Sequence, residues 1–389
     1  MNPNHLKNIQ SVLDEYTFSN QVAGVNVLVY KDNKEAGYWQ SGYADVAAGK
    51  KYNRDTICRM YSMSKTITSA AVFQLIQAGK LELGQNLATI IPEFSKLHSS
   101  RPILIQDLLN MTSGYGYGAT GPGTTPGDNQ TAQLIDELNQ DAAGEGKITT
   151  QQVAQRLAAI PPNFEPGTDY QYGLSADILG AVVEKVTGQR LSTWLNQNIF
   201  EPLGMTDTAF YVPADKQSRL ANVYKTINTP DGKAQLELFQ SCNLGIQHKM
   251  DHLPSFESGG AGLCSTIDDY MKFGLMLLNR GKYKNSQILN PKTVDFMSTA
   301  TLTDNLQNKF DQKMEHLSGY TYCNLLRIAI QPGKCKVFTT KGEYGWDGWL
   351  GPYLGIDPAN SLVIVMTMQK TDAGTWDLTR KIKNIIYSS

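Results

Sequence analysis

A chain of 389 residues exceeds what one hydrophobic core usually supports, which predicts two lobes sharing a cleft. Net charge is −1 with 18% charged residues, so composition excludes an electrostatic case for nucleic acid or an anionic membrane surface as partner. No apolar run reaches the ~18 residues of a membrane-spanning helix, and the first residues, MNPNHLKNIQSVLDEY, carry no apolar leader segment, so a cytoplasmic protein is expected.

Along the chain, apolar residues at Leu6, Ile9, Val12, Leu13 and Tyr16 have helical spacing and predict a surface helix over residues 4–19. Two strand-like runs around Lys31-Asp32-Asn33-Lys34 predict an antiparallel hairpin over 23–46. From Ser62 to Ala78 the period changes. This run is apolar nearly all round and closes at Gly79, which predicts a buried helix. Helical patterns follow at Asp107–Met111, Thr150–Ala159, Ser175–Thr187, Leu191–Ile199 and Asp268–Asn279. The glycine- and proline-dense stretch 114–128 excludes a regular element; it fits a loop lining a site and a mobile surface loop equally well. Strand character returns in GYTYCNLLRIAI, KCKVFTT, YLGIDP and SLVIVMTM, and a last helix is expected from Thr375 to Ile386. Strands at both ends predict an α+β fold: one antiparallel sheet from residues 1–88 and 300–389 flanked by helices, with a mainly helical insertion over 89–299 and the active site in the cleft between.

The five cysteines, Cys58, Cys242, Cys264, Cys323 and Cys335, are scattered and form no C-x-x-C pair, so they read as reduced, mostly buried thiols rather than metal ligands. Ser62-Met63-Ser64-Lys65 is the one S-x-x-K in the sequence and opens the predicted buried helix. Residues i and i+3 share a helix face, so the Lys65 amine can reach the Ser62 hydroxyl. A desolvated lysine loses protons more readily and can accept the serine proton near neutral pH, while the helix N-terminus favours a developing oxyanion. The same four residues also fit a serine cap followed by an exposed lysine.

Longer stretches favour the catalytic reading. ICRMYSMSKTITSAAVFQLIQAGKLELGQNLATIIPEF, IQDLLNMTSGYGYG, EPGTDYQYGLSADILGAVVEKVTG and ESGGAGLCSTIDDYMKFGLMLLNRG are collinear, and together they resemble the β-lactamase and penicillin-binding-protein family, nearest its class C and family VIII carboxylesterase branches. The resemblance implies the β-lactamase/transpeptidase-like fold, an acyl-enzyme on Ser62, Lys65 as its proton partner, and Tyr172 as the tyrosine of the family's Y-x-N element, acting as a general base that the adjacent ammonium can partly ionise. Two strict Y-x-N matches, at Tyr283 and Tyr322, fall in a polar turn and a late strand and are rejected. Leu174 stands where the family has asparagine and cannot hydrogen-bond an acyl amide. Trp346-Asp347-Gly348 stands in place of K-T-G; tryptophan offers an apolar face and one N–H instead of a cation, and Asp347 adds a negative charge that disfavours carboxylate substrates. The implied oxyanion hole uses the backbone N–H groups of Ser62 and Trp349, and Tyr115 and Tyr117 join Leu174, Trp346, Asp347 and Gly348 as candidate substrate-binding residues.

Other chemistries fit less well. No G-x-S-x-G occurs, and His248 and His252 are separated by Lys249-Met250-Asp251 without the glutamate of a zinc helix. His5, His98 and His316 lack acid partners in sequence for a triad, and no phosphate-binding glycine loop sits between strand and helix, so no metal or cofactor is expected. The expected substrate is a small ester, with weak β-lactam hydrolysis as a side activity. A β-lactamase or D-amino-acid peptidase or amidase, acyl transfer to another nucleophile, and a catalytically silent binding or scaffold protein are the alternatives. Oligomeric state is not encoded in any motif.

Overall fold

The computed structural model describes residues 3–97 and 99–389. Helix α1 (Pro3–Phe18) leads into strands β1 (Gly24–Lys31) and β2 (Lys34–Asp45), joined at Asp32 and Asn33, whose φ of 53° and 61° are the left-handed values that these residue types tolerate in a tight hairpin. A two-residue strand β3 (Lys50–Lys51) follows, then a 3-10 turn (Tyr61–Met63) running into α2 (Ser64–Gln77). Downstream come α3 (Ser175–Thr187) and α4 (Ile267–Leu278), and the chain returns to strand in β4 (Tyr320–Cys323), β5 (Leu326–Ala329), β6 (Tyr344–Asp347), β7 (Tyr353–Asp357) and β8 (Leu362–Met368) before α5 (Asp377–Tyr387).

These eight strands form one antiparallel sheet in the order β4-β5-β6-β7-β8-β1-β2-β3. Its seam is the pairing of β1 with β8, from Val25 opposite Met368 to Lys31 opposite Leu362. Because side chains alternate across a strand, Val25, Val27 and Val29 with Ile364, Met366 and Met368 face α1 and α5, where Leu6, Ile9, Leu13, Leu378, Ile382 and Ile386 cover them. Leu28, Val363, Val365, Leu354 and Trp346 face the other way, into the core that contains α2, α3 and α4. Helices on both faces explain why β1 and β8 read as nearly unbroken apolar runs. α4 lies close on the sheet at Gly274, where a Cβ would stand 2.8 Å from Val363.

Three of the expectations need correction. KCKVFTT forms no strand: β5 pairs directly with β6, leaving 335–340 as a link whose Phe338 N–H bonds Asn384 instead of a neighbouring strand. The helix begun at Leu191 runs on through a π turn (Asn196–Phe200) to Leu203. Helices Pro126–Ala143, Pro291–Thr299 and Asp304–Lys313, and the hairpin Tyr224–Asn228/Ala234–Leu238, were not anticipated. All five cysteines are free thiols, three of them buried. Among the described residues no helix is long and apolar enough to cross a membrane.

One buried ion cluster braces the sheet beside β6. Glu343, fully buried, takes Arg327 of β5 at 3.4 Å, Lys383 of α5 at 3.0 Å and the Tyr353 hydroxyl of β7 at 2.9 Å. Burial opposes its ionisation, but the Lys383 and Arg327 cations outweigh it and hold the carboxyl at about 2.

Candidate active site

The turn that carries Ser62 is fixed from both sides. Cys58–Arg59 pairs with Cys264–Ser265, and the Met60 N–H bonds Leu263 O at 2.8 Å. Tyr61 then adopts φ 45°, a left-handed value that a bulky residue rarely takes, and its buried ring packs edge-on to Trp349 at 5.0 Å. The tight reversal presents Ser62 at the start of the turn that opens α2, still 8% exposed. One turn on, Lys65 is fully buried, with Nζ 3.1 Å from Ser62 Oγ, 2.8 Å from the Tyr117 hydroxyl and 2.8 Å from Gly260 O. Ser64, two residues from Ser62, has its hydroxyl occupied by the Leu263 N–H at 3.1 Å.

Tyr172 comes from the turn before α3. Gly173 meets Gly116 so closely that a Cβ would lie 2.4 Å from the Gly116 Cα, and this contact sets Tyr172 beside Tyr117 with ring centroids 5.7 Å apart. Lys65 Nζ lies 4.8 Å from the Tyr172 ring centre and 5.5 Å from that of Tyr117. From β6, the Trp346 indole N–H donates to the Tyr172 hydroxyl at 2.8 Å, and the Trp346 ring packs on Tyr322 of β4 at 4.7 Å. Gly348 follows the strand against the turn that carries Ser62, where a Cβ would stand 2.3 Å from Met60 O; only glycine lets the following residue, Trp349, pack on Tyr61. The Trp349 indole is held by Asp372 at 2.7 Å.

The structure therefore gathers Ser62, Lys65, Tyr117, Tyr172 and Trp346 into one hydrogen-bonded and ring-packed group, with Gly348 and Trp349 at its edge. Leu174 is buried where α3 begins, its N–H on Tyr115 O at 3.0 Å. Two candidates have other partners: the Tyr115 hydroxyl donates to Ile160 O with its ring against Phe94, and the Asp347 carboxylate is taken by the Thr375 hydroxyl. Of the histidines weighed above, His5 bonds Ser388, His252 bonds Asp251, and burial beside Arg59 and Lys249 pushes His248 down to about 4; His316, half-buried, is also pushed down, and His98 lies outside the described residues. Among the described residues no group of three or more His, Cys, Asp or Glu is placed to hold a metal ion.

Electrostatics divides the roles. Burial pushes Lys65 down to about 7, with the Asp177 carboxylate acting against it. Tyr172 and Tyr117 keep some exposure, yet protein surrounds their hydroxyls and raises both, Tyr172 despite hydrogen bonds to Ser62 and Trp346 that pull the other way. An ammonium drawing Tyr172 toward phenolate, the effect expected from sequence, is thus outweighed by desolvation. The site holds neutral phenols around an amine poised to gain or lose a proton near neutral pH. Asp177 and the Gly260 carbonyl were missed in the sequence reading; an acid inside the otherwise apolar run SADILGAVV was the available clue.

A family model described as Beta-lactamase matches residues 9–382. Protein Rv1367c of Mycobacterium tuberculosis (strain ATCC 25618 / H37Rv) is 29% identical over 379 residues, 92% of this chain and 89% of that protein. Esterase EstB of Burkholderia gladioli is 29% identical over 277 residues, 68% of each chain. Among solved structures, EstCE1, described as a hydrolase with promiscuous acyltransferase activity, superposes with TM-score 0.81 at 23% identity over 99% of both chains.

Proposed function

Since the chain belongs to the Beta-lactamase family and is a serine hydrolase, we propose that it is a carboxylesterase acting on small neutral esters through an acyl-enzyme on Ser62. The observation that carries this reading is the chemistry of Trp346 and Leu174. Where a cation would hold a carboxylate stands Trp346, whose N–H is already spent on Tyr172, and Leu174 offers no polar atom to an acyl amide. The name of the EstB relative supports the same reading.

In the proposed cycle, neutral Lys65 Nζ accepts the proton as Ser62 Oγ attacks the ester carbonyl. The backbone N–H groups of Ser62 and Trp349 take the oxyanion. Collapse breaks the C–O bond, and the leaving alkoxide takes a proton from the Tyr172 hydroxyl, which recovers one from the neighbouring Tyr117 hydroxyl as that group takes one from the Lys65 ammonium, leaving all three groups as they began. Water then attacks the acyl-enzyme; its proton goes to Lys65 and from there to Ser62 Oγ as the acid departs. Purified protein is expected to turn over nitrophenyl butyrate faster than a chromogenic cephalosporin or a D-amino-acid amide under matched conditions. Ser62→Ala should lose hydrolysis and fluorophosphonate labelling while Ser64→Ala keeps both. A faster cephalosporin rate would replace the esterase reading with a β-lactamase, and labelling that persists in Ser62→Ala would remove the nucleophile.

A further inference from the structure

The segment Glu257–Gly262 runs between α2 and α3 and reaches Lys65 with a single atom, the Gly260 carbonyl, at 2.8 Å. Two glycines make this possible. A Cβ on Gly259 would stand 2.5 Å from Ala176 O, and one on Gly260 would stand 2.6 Å from the Asp177 carboxylate. The segment is held in place by that carboxylate, which accepts from the Gly260 N–H at 3.1 Å and from the Ser258 hydroxyl at 2.5 Å; the Ser258 oxygen in turn accepts the Ala261 N–H at 2.9 Å. Thr68 of α2 secures the other side by donating to Gly259 O at 2.7 Å.

Asp177 is 3% exposed, and its hydrogen-bond donors are neutral. Burial pushes its carboxyl up, and the Lys65 cation, with the Ser258 hydroxyl and the Gly260 N–H, pulls the other way in favour of the charged form. The groups facing Lys65 are Ser62 on its own helix, Tyr117 from the 114–118 loop, Tyr172 from the turn before α3, Gly260 O, and Asp177 from α3 itself. The nearby acids Glu257 and Asp347 are engaged elsewhere, Glu257 by Arg190 at 2.6 Å and by Ser192, Asp347 by Thr375.

We propose that Asp177 is a positioning residue for the reaction at Ser62: through Gly260 it sets where the Lys65 amine points, and its buried negative charge sets the pH at which that amine becomes a base. The proposal rests on Lys65 being the base for Ser62, and goes beyond that reading in naming the group that tunes it. Gly260 thereby links the two groups, with its N–H on the acid and its C=O on the amine. A purely structural Asp177 would serve the first purpose and have no bearing on the second.

The test follows the second-order rate of fluorophosphonate labelling of Ser62 against pH, a readout that needs no particular substrate. The parent should show a single acid limb with its inflection near pH 7. Asp177→Asn keeps an oxygen acceptor for the Gly260 N–H and Ser258 but removes the charge that favours the ammonium, so the inflection should move down by about one unit, as for loss of a nearby opposite charge. At about pH 5.5 the variant should then label at a roughly eightfold larger fraction of its own plateau rate than the parent. Ser258→Ala, which removes one bond and no charge, should leave the inflection in place. If Asp177→Asn does not fold, Asp177→Ser carries the same expectation. An inflection in the neutral variant that coincides with the parent's, whatever its plateau rate, overturns the proposal. Failure of the esterase reading has a separate signature: slow turnover of nitrophenyl butyrate with the labelling profile intact.

Discussion

Replacing Lys65 with methionine should produce a protein that is more stable than its parent and almost inactive. Methionine matches the lysine stem in length and shape without its charge, so the core around α2 can keep its packing. A depression of the Lys65 pKa from 10.5 to about 7 corresponds to a burial penalty of about 5 kcal/mol. Against this, methionine abandons Ser62 Oγ, the Tyr117 hydroxyl and Gly260 O, at about 1 kcal/mol each, which leaves a net gain of roughly 2 kcal/mol. The gain depends on pH. Below about pH 7 folded and unfolded chains both carry the ammonium, and the whole penalty falls on the folded state. Between about 7 and 10.5 only the unfolded lysine stays protonated, so parental stability climbs with pH while that of Lys65→Met has no such term. Urea unfolding of both proteins at about pH 6.5 and about 9.5 should therefore show the advantage at the lower pH and its loss at the higher. Ester turnover should fall by about 10² to 10⁴, the usual contribution of a general base. A Lys65→Met protein less stable than its parent at about pH 6.5, or a stability difference that does not change with pH, would refute a desolvated, proton-accepting amine.

Gly348→Ala should fold but lose about 10² to 10³ in kcat, because its Cβ would push the end of β6 off Met60 and displace the Trp349 N–H proposed to take the oxyanion; unchanged kcat would free that strand end of the role. Glu343→Gln leaves Arg327 and Lys383 buried without their acid and should cost about 3 to 5 kcal/mol in urea unfolding at neutral pH. That deficit should be full above about pH 4.5 and shrink as the parental carboxylate protonates toward about 2; a pH-independent deficit would contradict the ion cluster. Trp346→Lys, alone or with Leu174→Asn, should lower the rate on neutral esters and raise the relative rate on cephalosporins, measured as the ratio of kcat/KM for the two, and an unmoved ratio would count against the anchor argument.

Much of the fold was legible because its strongest elements are local. The all-round apolar run after Ser62 could only be a buried helix, and the valine-rich β1 and β8 could only lie in a sheet covered on both faces. KCKVFTT misled because β-prone residues do not make a strand where no neighbouring strand has free backbone groups. Pro126–Ala143 was masked by the glycine-rich stretch before it, although Thr125 and Asp128 form a capping box at its start. In the site, the spacing of Ser62 and Lys65 announced their contact. The ionisation of the tyrosines was not legible, since it depends on how completely protein surrounds each hydroxyl. Nor could sequence show that Tyr117 would reach Lys65 while Tyr115, two residues away, would turn to Ile160.

The seam between β1 and β8 has a consequence for how the molecule comes into being. Asn26 and Thr367 meet across 341 positions of sequence, so the pairing of β1 with β8 cannot close until residue 367 has left the ribosome. Contacts this distant make folding slow, and β1 and β2 must wait meanwhile with an open edge exposed to aggregation. Ser62 and Lys65 are made well before Trp346, Gly348 and Trp349. A nascent chain therefore carries Ser62 and Lys65 without the strand that packs beside them until Trp346 has been made.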